Sequence, residues 1–300
     1  MKRTRAGSVL AAAFVLLLAA GGVFVLLSNP RHRAFYFGGG GASTAAPEGR
    51  AAPRSRRSFG AGAATPTVST GAAVHPARRV PLPDAAGRIR VPVTDRAPSR
   101  LPAEGVPTGW ELHEWAGRAA IELIAAEQGI AVRLRSARAS FALHRDVIVD
   151  LKEFPFLAWQ WKAARLPAGG DVRARASDDQ AAQVYVVFPR WPSPLTSSEV
   201  IGYVWDSRAP VGTQVASPKA PNVRIIVVES GTSRLDSWQR QERNVAADYA
   251  ALFGRQPPRV GQIALMIDSN DTRSDAEVLF GELAFSRIQE RTETPTSMLR

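Results

Sequence analysis

The 300-residue chain contains no cysteine, which excludes a disulfide scaffold, thiolate zinc sites and a cysteine nucleophile but leaves the redox compartment open. Histidine is nearly as scarce. Of four, only His113 and His144 lie beyond residue 103, too few for imidazole-based acid–base or metal chemistry to be expected. His113-Glu114 lacks the second histidine of a zincin, and neither a G-x-S-x-G elbow nor a phosphate-cradling P-loop occurs. Acidic residues are missing from one part of the chain only. Residues 1–103 hold 15 Lys+Arg against 3 acids, whereas residues 104–300 hold 23 against 24. The net charge of +11 therefore belongs to the N-terminal third, and nucleic acid is not the expected partner.

The chain has one long apolar run, Val9–Leu27. It consists of Ala, Val, Leu and Phe apart from Gly21 and Gly22. At about 1.5 Å per residue it spans roughly 28 Å, close to the ~30 Å hydrocarbon core of a bilayer. Lys2, Arg3 and Arg5 precede it and favour an internal N-terminus. The expectation is a single-pass signal-anchor over residues 1–30 in a bacterial inner membrane, with the C-terminal part periplasmic or extracellular. Arginine outnumbers lysine 34 to 4, a skew that suits a GC-rich bacterial genome. The alternative is a signal peptide cleaved after Ala19-Ala20-Gly21, with the remainder secreted to the periplasm.

Core-forming sequence is then absent until about residue 104. Residues 31–103 are rich in Ala, Gly, Pro and Arg, and from residue 38 onward Phe59 is the only aromatic. Such a segment cannot bury enough apolar surface to offset its ordering entropy, so a disordered linker is expected. All seven tryptophans lie beyond residue 109, which sets the domain at 104–289, followed by a polar tail at 290–300. Strand-like runs are Ile121–Ala125, Ile130–Leu134, Val147–Leu151, Phe156–Lys162, Gln183–Phe188, Val200–Trp205, Val223–Glu229, Ile263–Asp268 and Glu277–Phe285. One helix stands out. Asn244 is its N-cap, Val245, Tyr249 and Leu252 recur at helical spacing, and Gly254 takes the C′ position before Pro257-Pro258. The fold class expected is all-β, an antiparallel β-sandwich or jelly roll with one short helix.

A family resemblance agrees with this. The run LAWQWKAARLPAGGD, Asp178-Asp179, QVYVVF, Tyr203-Val204-Trp205, Glu242-Arg243-Asn244-Val245, Asp248-Tyr249, Phe253-Gly254 and Met266-Ile267-Asp268 follow one another in order. Together they resemble the bacterial domain-of-unknown-function family 3047 over about residues 107–287. The resemblance implies an exported protein with a sandwich similar to galactose-binding jelly rolls, and it implies no activity. Two positions depart from the family pattern. Gln183 stands where an arginine is usual, and Asp271-Thr272-Arg273 replaces an Asn-Thr-Gly ending.

No catalytic residue is nominated. Asp178, Asp179 and Asp268 could serve a carboxylate-based enzyme acting on glycans, which needs two acids ~5–9.5 Å apart. Asp268, Asn270 and Asp271 are weak calcium candidates, but the EF-hand spacing fails at Arg273 and Leu279, and ordinary turn formation explains the loop equally well. No other cofactor is expected. Trp159 and Trp161 share one strand face, as do Tyr203 and Trp205. Such aromatics ordinarily fill a sandwich core. If exposed, they could stack on sugar rings, with Lys162 or Arg224 donating hydrogen bonds. The ligand-binding candidates are thus Trp205, Tyr203, Lys162, Arg224, Asp178 and Asp179, with Trp205 the first choice for an exposed ring. The reading favoured is non-catalytic binding of carbohydrate or polysaccharide by a membrane-tethered envelope protein. An envelope assembly protein and a glycan-acting enzyme are the alternatives.

Overall fold

The computed structural model describes residues 81–190 and 198–289. These fall within one compact unit, residues 72–300. The expected anchor, most of the expected linker and the polar tail lie outside the described residues. Among the described residues, no helix is long and apolar enough to cross a membrane.

In chain order the strands are β1 (Arg88–Val91), β2 (Ala103–Glu104), β3 (Glu111–Ala116), β4 (Ala120–Ala126), β5 (Gly129–Ala137), β6 (Ser140–Val149), β7 (Phe156–Arg165) and β8 (Ala182–Phe188). They continue as β9 (Glu199–Asp206), β10 (Gln214–Ala216), β11 (Val223–Ser230), β12 (Gln239–Asn244), β13 (Val260–Asp268), β14 (Asp275–Phe280) and β15 (Leu283–Ser286). Among the described residues a single α-helix, α1 (Val245–Phe253), follows β12. One sheet runs β1-β15-β7-β14-β5-β4-β2, with β12 also on β7. The other runs β10-β11-β9-β8-β13-β6-β3. Pairing is antiparallel throughout except between β9 and β11. The fold is a mostly-β sandwich of jelly-roll type.

Strict alternation builds the core. On β8, Val184, Val186 and Phe188 point into the sandwich, as do Ile263, Leu265 and Ile267 on β13 and Phe141 and Leu143 on β6. The tryptophan pair of β7 meets the aromatic pair of β9 across the two sheets. Trp159 and Tyr203 ring centroids lie 5.3 Å apart, and those of Trp161 and Trp205 6.2 Å apart. All four rings are essentially inaccessible. The helix ends as the sequence predicts: Asn244 Oδ1 accepts from the Ala247 N–H at 2.9 Å, and Gly254 adopts φ +69°. Val245 and Tyr249 are its buried residues.

Two boundaries differ from expectation. β1 pairs with β15, and Ile89, Val91 and Val93 are buried, so the packed domain begins before residue 104. Its apolar residues are too few, among Arg and Pro, to announce a strand by pattern. The run Glu277–Phe285 is two strands rather than one. β14 and β15 share one edge of β7, interrupted at Gly281-Glu282, where the Gly281 N–H donates to the Gln160 carbonyl at 2.9 Å.

Candidate functional site

The β10–β3 sheet has one face in the core; its other face is covered over β9 and β11 by a smaller cluster of Val172, Val204, Ala209, Ile225 and Val227 and is hollowed over β6, β8 and β13. Side chains alternating outward from β6 (Ser140, Ala142, His144), β8 (Gln183, Tyr185, Val187) and β13 (Ala264, Met266, Asp268) line a cavity of about 660 Å³. Small residues on its floor, Ala142 and Ala264, leave the depth. On β9 the position opposite Tyr185 is Gly202. A Cβ there would come within 2.5 Å of the tyrosine ring, so glycine is what lets that ring lie across the neighbouring strand.

Part of the cavity lining is aromatic. Trp115, on β3, is 54% exposed. Its ring lies 4.5 Å from that of His113 and 6.1 Å from that of His144, centroid to centroid. A bulge between Glu114 and Ala116 interrupts the β3–β6 register. Consequently the consecutive residues Trp115 and Ala116 both line the cavity, the re-aiming a bulge provides. His144 Nδ1 lies 3.0 Å from Gln262 Oε1, and the Gln262 amide donates to Asp146 at 3.3 Å. That arrangement makes Nδ1 the protonated nitrogen and leaves Nε2 an acceptor. Burial holds the ring's pKa below its ordinary value.

The lining also holds a polar cluster. Asp178, Gln180, Lys219, Asp268, Asn270 and Asp271 meet there. Lys219 Nζ lies 2.5 Å from Asp271 Oδ2 and 3.9 Å from Asp268 Oδ2, and donates to the Asp178 carbonyl at 3.1 Å. Burial works against the charge on Lys219, but the Asp271 contact and the fields of Asp268 and Asp178 prevail and raise its pKa. Burial, followed by the neighbouring Asp179 carboxylate, pushes Asp268 up to about 8. Asp268 therefore keeps its proton at neutral pH and hydrogen-bonds to Asp179. Burial also raises Asp178.

The candidates named from sequence separate cleanly. Asp178, Asp268, Asn270 and Asp271 are brought together. Asp179 lies beneath them, fully buried, and its carboxylate accepts from the Asp271 and Thr272 N–H groups at 3.2 and 2.6 Å; it pins the loop and is unavailable to a ligand. Trp205 and Tyr203 are corrected to core residues. Trp205 Nε1 donates to the Gly231 carbonyl at 3.0 Å, and the Tyr203 hydroxyl donates to Asp248 at 2.8 Å, while Asp248 also pairs with Arg243 at 2.5 Å. Lys162 lies on the other sheet, its Nζ 5.8 Å from the Trp238 ring centroid. Arg224 is spent on the Pro221 carbonyl at 2.5 Å and lies over Phe253. As for calcium, the Lys219 ammonium occupies the place a cation would take among these oxygens. Among the described residues, no group of three or more His, Cys, Asp or Glu is arranged to hold a metal ion.

Trp115, His144, Tyr185, Gln180 and Lys219 were not singled out from sequence. His113 and Trp115 at period two were the available signal for the first, but the bulge that aims Trp115 leaves no mark in residue pattern. Both family departures, Gln183 and Asp271, line this cavity.

The family model described as a protein of unknown function, DUF3047, matches residues 107–284. No curated protein matches the chain. Among solved structures, the glycoside hydrolase domain of Endo-D from Streptococcus pneumoniae aligns with 12% identity and a TM-score of 0.33, over 63% of this chain and 23% of that one. The xyloglucanase domain of NopAA from Sinorhizobium fredii, in complex with cellobiose, aligns with 11% identity and a TM-score of 0.37, over 62% and 96%. A family 30 carbohydrate-binding module of a Clostridium thermocellum cellulosomal cellulase aligns with 9% identity and a TM-score of 0.36, over 61% and 93%. The chain thus spans about a quarter of the first of these. At such scores the likenesses assign no function to this chain.

Proposed function

This chain belongs to DUF3047, a family of proteins of unknown function, and we propose that it is a membrane-tethered envelope protein that binds carbohydrate in the cavity over β6, β8 and β13. One observation carries the reading: a half-exposed tryptophan, Trp115, stands at the wall of a 660 Å³ cavity that also presents amides, carboxylates and an ammonium. A sugar ring has an apolar C–H face and a rim of hydroxyls. It is held by an aromatic plane plus a few placed polar groups. The site offers both within one cavity. The apolar run Val9–Leu27 supplies the tether and its cation flank the exported orientation.

Glycan hydrolysis is the second reading, favoured by one feature, the proton Asp268 retains in a cavity that Asp178 also lines. Binding is preferred because that proton is given to Asp179 and Lys219 crowds the same carboxyl. The test is a titration of the full-length protein, in a polyoxyethylene detergent whose headgroup carries no sugar, with bacterial envelope oligosaccharides. A saturable change in tryptophan fluorescence with the saccharide recovered intact supports binding. Shortened saccharide transfers the case to hydrolysis, and saturable binding only to an envelope protein overturns the carbohydrate reading.

A further inference from the structure

We infer that the opposite sheet carries a second binding site, which takes a short uncharged saccharide at Trp238 and Gln160. It lies on the outer face of the β1–β2 sheet and is built apart from the Trp115 cavity. Trp159 and Trp161 point into the core, so Gln160 between them points out. Trp238 stands just before β12, whose Gln239 pairs with Trp161, and this brings the indole beside Gln160. Strand β14 ends at Phe280. The next residue, Gly281, has no side chain and leaves a hollow: a Cβ there would meet Gln160 at 3.6 Å and the Trp238 ring at 3.9 Å. The β4–β5 turn and the segment after β1 close the other walls, giving a cavity of about 330 Å³, a volume in keeping with small-molecule sites.

The lining has both halves of sugar recognition. Pro92 and Ile130 offer apolar surface beside the partly exposed indole. Gln160 and Gln128 offer amides, each with donors and an acceptor, as a hydroxyl needs. Among the described residues, neither amide nor the Trp238 N–H takes part in a hydrogen bond, and none of these groups is sealed from solvent. What is free is also uncharged. The one charged residue of the lining is Glu282, and Arg90 holds it at 3.0 Å. The pocket therefore suits hydroxyls and a C–H face rather than an ion. Lys162 Nζ stands 5.8 Å from the Trp238 ring centroid, near the outer limit of a cation–π contact. It makes no ion pair among the described residues, so its flexible stem can yield the ring to a ligand. Half the volume of the first cavity and a ring less exposed than Trp115 set the affinity of this site about tenfold or more below that of the first.

The experiment labels the tryptophans of the full chain with fluorotryptophan and follows their fluorine resonances in the same sugar-free detergent. The titrants are the envelope oligosaccharides above, cellobiose, maltose and the disaccharide of N-acetylglucosamine. Trp238→Phe and Trp115→Ala identify the two reporting signals by their loss. At least one disaccharide is expected to shift the Trp238 signal saturably, in wild type and in Trp115→Ala alike. Gly281→Leu, which sets a side chain into the hollow, is expected to weaken that response about tenfold or more and leave the response of Trp115 unchanged. Should that variant not fold, Gln160→Ala is expected to weaken the Trp238 response by removing one amide. A Trp238 signal that no disaccharide moves, that moves only while Trp115 is present, or that is indifferent to both substitutions overturns the inference. A saturable response at Trp115 alone does so while leaving the carbohydrate reading in place. A response at Trp238 alone upholds the second site and counts against the first, and silence at both overturns both.

Discussion

Asp268 retains a proton that an ordinary aspartate has lost, and this gives the protein a pH signature. In the folded state its carboxyl is held up to about 8 against an ordinary 3.8. The folded chain therefore binds a proton that the unfolded chain has released, and stability falls as pH rises from the ordinary value through about 8. Asp178 and Asp206, raised by burial, act in the same direction. His144, lowered by burial, opposes them only below its ordinary 6.5. Between pH 6.5 and 8 the thermal midpoint is thus expected to fall. Asp268→Asn, whose amide donates to Asp179 as the protonated acid does, is expected to flatten that slope and raise the midpoint at pH 8. A midpoint that rises across this window contradicts the assignment. At the same scale, residue identity left some roles legible and others hidden. Asp178, legible as a candidate carboxylate, and Asp268, Asn270 and Asp271, legible as an oxygen-rich loop, do meet in one place. Trp205 and Trp115 are equally tryptophan, and period-two spacing cannot say which face of a strand meets the other sheet. That choice is made by pairing partners tens of residues away.

Elements were legible where apolar alternation or capping chemistry marked them. Asn244 and Gly254 bracket α1 as read, because both act through the local backbone. β12, Gln-Arg-Gln-Glu-Arg-Asn, carries no apolar residue at all; it exists because β7 offers it a backbone edge, which no local pattern reveals. β6 was read from Val147 onward, because its outward Ala142, His144 and Asp146 face the cavity and the solvent instead of a second core. The β8–β9 pair yields a prediction. Gly202→Ala sets a methyl 2.5 Å from the Tyr185 ring, so either the ring swings into the cavity or the strands part. Overpacking of this kind costs roughly 1–3 kcal/mol, and saccharide affinity is expected to fall with it. Unchanged denaturant midpoint and unchanged affinity together would show that the ring has room to spare.

On the scale of the whole molecule, the described domain reaches back through β1. Burial of Ile89, Val91 and Val93 contributes roughly 1.5–3 kcal/mol for each side chain. β1 also covers the edge of β15. A chain truncated at residue 80 is expected to keep the full-length denaturation midpoint, and one truncated at residue 103 to lose several kcal/mol. Equal midpoints would make β1 dispensable. The proposed orientation is checked separately: alkaline phosphatase fused at the C-terminus is expected to be active and a fluorophore that matures only in the cytoplasm dark, the reverse pattern contradicting export.

The central claim is that Trp115, not the buried tryptophans, forms the binding surface. The direct measurement pairs saccharide affinity with thermal unfolding for Trp115→Ala and Trp205→Phe. Trp115→Ala is predicted to lose about tenfold or more in affinity, ~1.4 kcal/mol, with its unfolding midpoint preserved, since the side chain is half exposed and leaves no core cavity. Trp205→Phe, which removes a buried ring and its hydrogen bond to Gly231, is predicted to lower the midpoint and leave affinity within about twofold. Retained affinity in folded Trp115→Ala would contradict the account.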